Sequence, residues 1–463
     1  MPSTDIELAN VPSRTASNTA TTVPSTPNTV LTPAESRASG QLNVGGNEPP
    51  ANKEAFDSYP EDAWFSIVLP CFVLFSTTVG GVYSWGVFQD AFVAEGLASS
   101  SALAWIGSTQ ATIQAIAALP ISRLVAAYGP RRIALIGSFF ASAGPILGSF
   151  CTKNIGGLVV TEGLMFGVGQ GLIFFAAATL PSSYFLRRRN IATGFTFAGG
   201  GVGGAVFSII ASQLLQRMSL AWTLRAVGLI FAILNVPSAL ALKARAPREP
   251  FRAGKKVVDW SLFKDIRFTL LLIGTAIALF PLFVTPFFLP LFGTSIGLSA
   301  STSAFILAGA FNLASAVGRM GFGLLADAVL GSLNALVLCL ALVGISTLAI
   351  WPVATTMGPL IAFAVINGLC AGGMFSLIPG TISSLFGTTQ LSVAFSMTLS
   401  SWTLGYFLGS PIAGYLLQAY GGPEAGYGAY RPAIFYSGAL SLVSAGFVLA
   451  VRVFQSRKVF QKV

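Results

Sequence analysis

The sequence predicts an all-α polytopic membrane protein: twelve transmembrane helices in two pseudo-symmetric six-helix bundles. Three observations carry this. Of 463 residues, 54% are hydrophobic and only 9% charged; soluble domains carry about 25% charged residues, so these charges cannot cover a water-facing surface of this size. The apolar residues fall in a dozen blocks of roughly 20 residues, the length that crosses a bilayer as a helix. The excess of 26 Lys and Arg over 16 Asp and Glu lies between the blocks, concentrated in alternate loops on one side, as the positive-inside rule requires of cytosolic loops.

Residues 1–62 are rich in Ser, Thr, Pro and Asn and are expected to form a disordered cytosolic tail. They contain no apolar core of the length a cleaved signal needs. Spans 1 to 6, the N-terminal bundle of 63–242, are placed at about 63–88, 102–123, 132–151, 157–180, 191–215 and 222–242. A basic cytosolic linker, 243–266, follows. Spans 7 to 12, the C-terminal bundle of 267–454, are placed at about 267–292, 300–326, 332–354, 357–385, 392–418 and 432–454, and 455–463 is a cytosolic tail. With a cytosolic N-terminus, only Lys153, Arg217 and Arg431 fall in outside loops. Both termini are therefore expected in the cytosol.

Composition also excludes functions. The chain has no His, which removes histidine-based catalysis, metal ligation and proton switching. Cys71, Cys151, Cys339 and Cys370 are far apart within apolar blocks, so neither a zinc site nor a redox pair is indicated. No GxxxxGK[ST] phosphate loop occurs. An enzyme, a cofactor and a nucleic-acid partner are not expected. Six spans, a charged linker and six more spans suggest a duplicated transporter. Internal echoes support duplication: Ser122-Arg123-Leu124 running to Gly129-Pro130-Arg131-Arg132 after span 2, and Gly318-Arg319 running to Gly323-Leu324-Leu325-Ala326-Asp327 after span 8. The glycine runs of spans 5 (Gly199 to Gly204) and 11 (Gly405 to Gly414) also correspond, and small residues at this density let helix backbones approach closely.

With these residues in place, the chain resembles the major facilitator superfamily, whose inter-helix loop signature is similar to Gly323 to Asp327. It resembles more specifically the monocarboxylate transporter branch in its fungal form. That likeness rests on Glu61-Asp62-Ala63-Trp64 before span 1 and Ser84-Trp85-Gly86-Val87-Phe88 at its end. It rests also on Tyr184-Phe185-Leu186-Arg187-Arg188-Arg189 with Gly194, and on Leu289-Pro290, Ile296 to Ser299 and Asn312 to Arg319. The resemblance implies a secondary transporter for a small organic, monocarboxylate-like or otherwise anionic solute. It would work by alternating access, as a monomer, with protons as coupling partner, in the plasma membrane. Efflux of a secondary metabolite is the alternative, with uptake of a vitamin-like molecule such as riboflavin beside it. A nutrient receptor on a transporter scaffold is the non-transport alternative.

The resemblance also implies that spans 1, 4, 7 and 10 line the cavity, with Arg319 of span 8 as carboxylate ligand. Asn312, Ser315 and Arg319, at i, i+3 and i+7, share one helical face, and a guanidinium clamps a carboxylate through two parallel hydrogen bonds. Tyr83 and Trp85 are the other candidate substrate contacts. The chain departs from the family at three places: Ala126 stands where the first loop carries Asp, and Tyr83 and Ser315 stand where animal members carry Lys and Asp. Proton cycling through that Lys and Asp is therefore not inherited. Glu162, in span 4, is the candidate proton site, with Arg225 or Arg217 as candidate ion-pair partners. Arg187, Arg188 and Arg189 are expected at the cytosolic headgroups, where each cation gains about 1 kcal/mol against anionic lipid.

Overall fold

Proline, glycine and hydroxyl side chains decide where the apolar segments bend, and the computed structural model shows each of them acting. It describes residues 63–98, 100–185, 188–243, 258–299, 303, 310–422 and 425–456. The N-terminal tail, Arg187, most of the linker, the start of span 8 and the end of the C-terminal tail lie outside the described residues. Those described belong to one unit, Glu54–Val463. Among them there are helices and no strand, and nine helices are long and apolar enough to cross a membrane, ten when a bent pair counts as one span.

These are span 1, Trp64–Gln89; span 2, the bent pair Trp105–Ile116 and Ala118–Tyr128; span 4, Ile155–Tyr184; span 5, Arg189–Leu215; and span 6, Leu220–Ala241. In the second half they are span 7, Ile266–Ser295; span 8, Asn312–Leu330; span 9, Ser332–Val353; span 10, Met357–Phe386; and span 12, Tyr427–Gln455. Pro130–Gly148 occupies the place of span 3, and Leu391–Ser401 with Thr403–Ala419 that of span 11. Every predicted span is thus helical where it is described, with ends displaced by a few residues.

Two spans expected as single rods are broken. Span 2 bends by 55° between Ile116 and Ala118. Pro120 explains it, because a proline lacks the N–H that would bond the carbonyl four residues back, at Ile116. Span 11 breaks at Trp402 without a nearby proline. There Ser401 Oγ donates to the Thr398 carbonyl at 2.7 Å and Thr403 Oγ1 to the Ser400 carbonyl at 2.9 Å, the back-bonding that bends helices. Span 7 stays one span, Ile266–Ser295, with a single non-helical residue at Phe283, where Pro286 has no N–H to offer the Leu282 carbonyl.

Packing follows a pseudo-twofold. Span 1 packs on 5, 3 on 6 and 2 on 4; in the second half 7 packs on 11, 9 on 12 and 8 on 10. Contacts that join the halves include span 5 with 8 and with 10, and span 2 with 11, and Ser400 Oγ donates to the Ala115 carbonyl at 3.2 Å beside the two breaks. The turns entering spans 3 and 9 correspond as well. Gly129 (φ 84°) and Gly331 (φ 82°) both take a left-handed conformation that a side chain would strain. Asp265 caps span 7 by accepting from the Arg267 amide at 2.9 Å, and the hydrogen bond from the Arg267 side chain holds its carboxyl below the usual carboxylate range.

Glycines set the closest approaches. A Cβ on Gly199 would lie 2.2 Å from the Phe72 carbonyl oxygen and one on Gly203 2.2 Å from that of Ser76, so spans 1 and 5 meet backbone to backbone. Gly199→Ala is expected to lower stability by about 1–3 kcal/mol, the usual cost of overpacking, measured by thermal unfolding in detergent. Gly446→Ala, with nothing within 4 Å, is expected to leave stability unchanged or slightly raised.

Candidate functional site

Between the halves lies a cavity of about 250 Å³. Span 1 contributes Tyr83, Trp85 and Gln89, span 2 Gly107, Ser108 and Ala111, and span 7 Phe283, Pro286 and Phe287. Span 8 contributes Phe311, Asn312, Ser315 and Arg319, span 10 Ala371 and Phe375, and span 11 Tyr406 and Ser410. All five sequence-predicted substrate contacts therefore line one space. The predicted set of lining spans needs correction: besides spans 1, 7 and 10 and the expected span 8, spans 2 and 11 share the wall, and span 4 reaches only a deeper chamber, through Gln170 and Phe174, where span 5 contributes Phe197.

Arg319 stands where the two spaces meet. It is 2% exposed. Its Nη1 donates to the Phe197 carbonyl of span 5, Nη2 to the Tyr83 hydroxyl at 3.4 Å, and its guanidinium lies 5.7 Å from the centre of the Phe375 ring. Nε has no partner, and among the described residues no carboxylate forms an ion pair with Arg319. It does not cap the end of span 8. Glycines make its place: a Cβ on Gly200 would lie 2.8 Å from Nη1, and one on Gly194 2.2 Å from the Arg319 carbonyl oxygen. A buried cation at a cavity wall, with an unpartnered donor and no counter-charge among the described residues, has the chemistry to attract an anion.

The remaining wall is aromatic. Trp85 packs its indole against Gly107 and spends its N–H on the Leu103 carbonyl at 3.3 Å, so it offers a ring face. Phe283 stands 5.6 Å from Tyr406. Sequence reasoning missed Phe197, whose contribution is a backbone carbonyl with no side-chain signature, and Phe375 and Tyr406, three of many aromatics with nothing to single them out.

Below the cavity, toward the end where residues 64 and 455 lie, the halves close on each other. Phe395 of span 11 sits 6.5 Å from Phe174 and 5.6 Å from Phe175 of span 4. Closer still to that end, Asp327 accepts from the Ile191 amide at 2.8 Å and from Asn190 Nδ2 at 2.6 Å, capping span 5 from the other half. Asn190 Oδ1 in turn accepts from Ser332 Oγ at 3.1 Å. Arg189 reaches Ser383 of span 10 at 3.4 Å, an inter-half contact where a lipid contact was expected, while Arg188 is exposed. Gly323 admits the Asn190 carbonyl, 2.6 Å from where its Cβ would be, and the Tyr184 hydroxyl donates to the Lys243 carbonyl at 3.0 Å. The loop-motif residues that are described, Arg187 not being among them, thus gather at one closed end.

Glu162 is 4% exposed and lines neither space. The ion pairs expected for it are not formed. Arg225 donates to Ser149 Oγ at 2.9 Å and lies between the Phe150 and Trp222 rings at 4.6 and 4.7 Å.

Among the described residues, membrane-length helices in two related halves around a central cavity define a polytopic transporter fold. The sequence profile described as Major Facilitator Superfamily matches residues 70–356 and 271–461, and the chain belongs to that superfamily. It is 31% identical to "MFS-type transporter pynF" of Aspergillus niger, over 84% of this chain and 89% of that one. It is 32% identical to "Aspyridones efflux protein apdF" of Emericella nidulans, over 81% and 76%. Among solved structures, the fucose:proton symporter FucP of E. coli is similar at TM-score 0.59 and 18% identity, covering 82% of this chain and 97% of that one. A bacterial homologue of ferroportin in an outward-facing state is similar at 0.65 and 14%, covering 84% and 98%. At these identities the likeness is one of fold.

Asp327→Ala is expected to release the Ile191 amide and loosen the closed end. Loss of such a cap costs about 1 kcal/mol, so hydrogen–deuterium exchange at 189–195 should rise about fivefold, with 220–241 unchanged.

Proposed function

We propose that this protein is a secondary active exporter of an acidic, partly aromatic secondary metabolite. Arg319 carries the reading: a buried, uncompensated cation at a cavity whose other walls are mostly rings. The efflux named for relatives such as the aspyridones protein supports export over uptake. The motifs similar to the monocarboxylate branch support a carboxylate as the anionic group. In this proposal both tails are cytosolic and the plasma membrane is the site. The closed end with Asp327 then faces the cytosol, and the cavity is seen open toward the outside.

The geometry gives each residue a task. A solute carboxylate takes hydrogen bonds from the free Nε and from the Nη2 that Tyr83 now shares, in the bidentate manner guanidinium favours. Asn312 and Ser315, on the same face of span 8, orient its polar edge. Trp85, Phe287 and Phe375 exclude water around its apolar body, which strengthens the charge contact. Alternating access then requires Asp327 to leave the span 5 amides as the halves rock.

The test is counterflow in proteoliposomes with labelled pyruvate, phenylpyruvate and riboflavin. Wild-type protein is expected to exchange phenylpyruvate faster than pyruvate. Arg319→Ala should reduce exchange about tenfold to hundredfold, the worth of a hydrogen bond to a charged group, and Arg319→Lys should restore part of it. Equal exchange by wild type and Arg319→Ala would remove Arg319 from the site. Exchange of riboflavin alone would replace the acid by a vitamin-like solute.

A further inference from the structure

The contacts proposed for the solute leave the deeper chamber unused, although Arg319 lines it as well as the main cavity. The chamber holds about 50 Å³, room for a few water-sized groups and not for a second ring. Its walls are mostly apolar. Phe174 of span 4 lies 5.0 Å from Phe75 and 5.9 Å from Phe197, ring centre to ring centre. Into this lining spans 2 and 4 bring two uncharged amides, Gln114 and Gln170.

One turn before Gln114 on span 2, Gln110 Nε2 donates to the Glu162 carbonyl of span 4 at 2.9 Å, which holds the two spans side by side. Gln114 is 7% exposed and Gln170 3%. Gln170 Nε2 donates to Gln114 Oε1 at 2.7 Å, a bond that orients both amides and leaves one group over at each end. Gln114 Nε2 has no acceptor among the described residues, and Gln170 Oε1 is buried without a donor. Packing alone does not ask for such a pair. An amide buried with half its hydrogen bonds missing costs free energy that an apolar side chain of similar volume avoids.

Two amides joined by one hydrogen bond are completed by a third, whose C=O takes the free N–H and whose N–H serves the free C=O. Charged groups fit worse. No carboxylate lines the chamber or the cavity among the described residues, so an ammonium there would face the Arg319 guanidinium without a counter-charge. A second carboxylate would set its oxygens against Gln170 Oε1 with no proton to offer. The chamber therefore selects an uncharged group that carries both a donor and an acceptor. Because Arg319 lines both spaces, an amide borne next to the acid enters the chamber while the acid stays on the guanidinium and the ring stays in the larger cavity.

We propose that Gln114 and Gln170 form a second binding site for the solute, specific for an amide group next to its acid, so that the exported class is amide-bearing aromatic acids. The proposal rests on the exporter reading above and narrows its solute. The surrounding rings exclude water, so an analogue lacking the amide N–H leaves Gln170 Oε1 unpaired in the complex, and sites of this kind discriminate strongly against such analogues.

The test is counterflow in proteoliposomes with four labelled probes: N-acetylphenylalanine, O-acetylphenyllactate, 3-phenylpropionate and phenylalanine. The first two differ only in an N–H replaced by an ester oxygen, so the comparison needs no variant. N-acetylphenylalanine is expected to exchange with a half-saturation about tenfold lower than the ester, and phenylalanine not to exchange. In Gln114→Leu combined with Gln170→Leu, which removes both polar partners together, the amide and the ester should become equal within about twofold, while exchange of 3-phenylpropionate persists. A purely structural pair would lower all probes alike and leave the amide-to-ester ratio unmoved, and that result overturns the proposal. Equal exchange of amide and ester by wild type also overturns it, and leaves the exporter reading standing if 3-phenylpropionate still depends on Arg319. If wild type exchanges none of the acids, the exporter reading fails and this inference falls with it.

Discussion

Span 5 must lie in backbone contact with span 1 in its own half and with span 8 in the other. Its glycines serve both contacts from different faces: Gly199 and Gly203 admit the carbonyls of Phe72 and Ser76, while Gly194 and Gly200 admit the backbone and guanidinium of Arg319. Without that clearance Arg319 could not reach the Phe197 carbonyl, and the cavity would lose the cation that gives it chemical character. The glycine run that reads as ordinary packing is thus also the reason a charge can be held between the halves.

The energetic logic of Arg319 is that of a group kept partly unsatisfied. A fully bonded guanidinium would be stable and inert toward a solute; one with an orphan Nε and a long bond to Tyr83 still has donors to give. The cost of leaving them unpaired is borne by the surrounding packing, which is why a cavity wall, and not a lipid-facing surface, carries it.

Apolar block length made the spans legible in the sequence, because the bilayer fixes that length independently of detail. Asn312, Ser315 and Arg319 were legible as one face because a helix fixes their angular spacing. The breaks of spans 2 and 11 were less so. Pro120 carried a readable signal, whereas Trp402 marks a break made by hydroxyl back-bonding that Ser and Thr also perform harmlessly elsewhere. Gln110, Gln114 and Gln170 could have been found as amides inside apolar blocks, but their partnership depends on which faces of spans 2 and 4 meet. The capping of span 5 by Asp327 was hidden for the same reason, since the two lie more than a hundred residues apart.

The two broken helices run together across the boundary between the halves, joined beside their breaks by Ser400 and the Ala115 carbonyl. A pair of straight rods there would act as a stiff axle, so that opening one mouth would have to close the other in proportion. Jointed rods make the bearing compliant. Each end can flex about its own elbow, the two mouths become mechanically separable, and a state sealed at both ends, with solute trapped between, is reached by bending two joints and not by deforming either bundle.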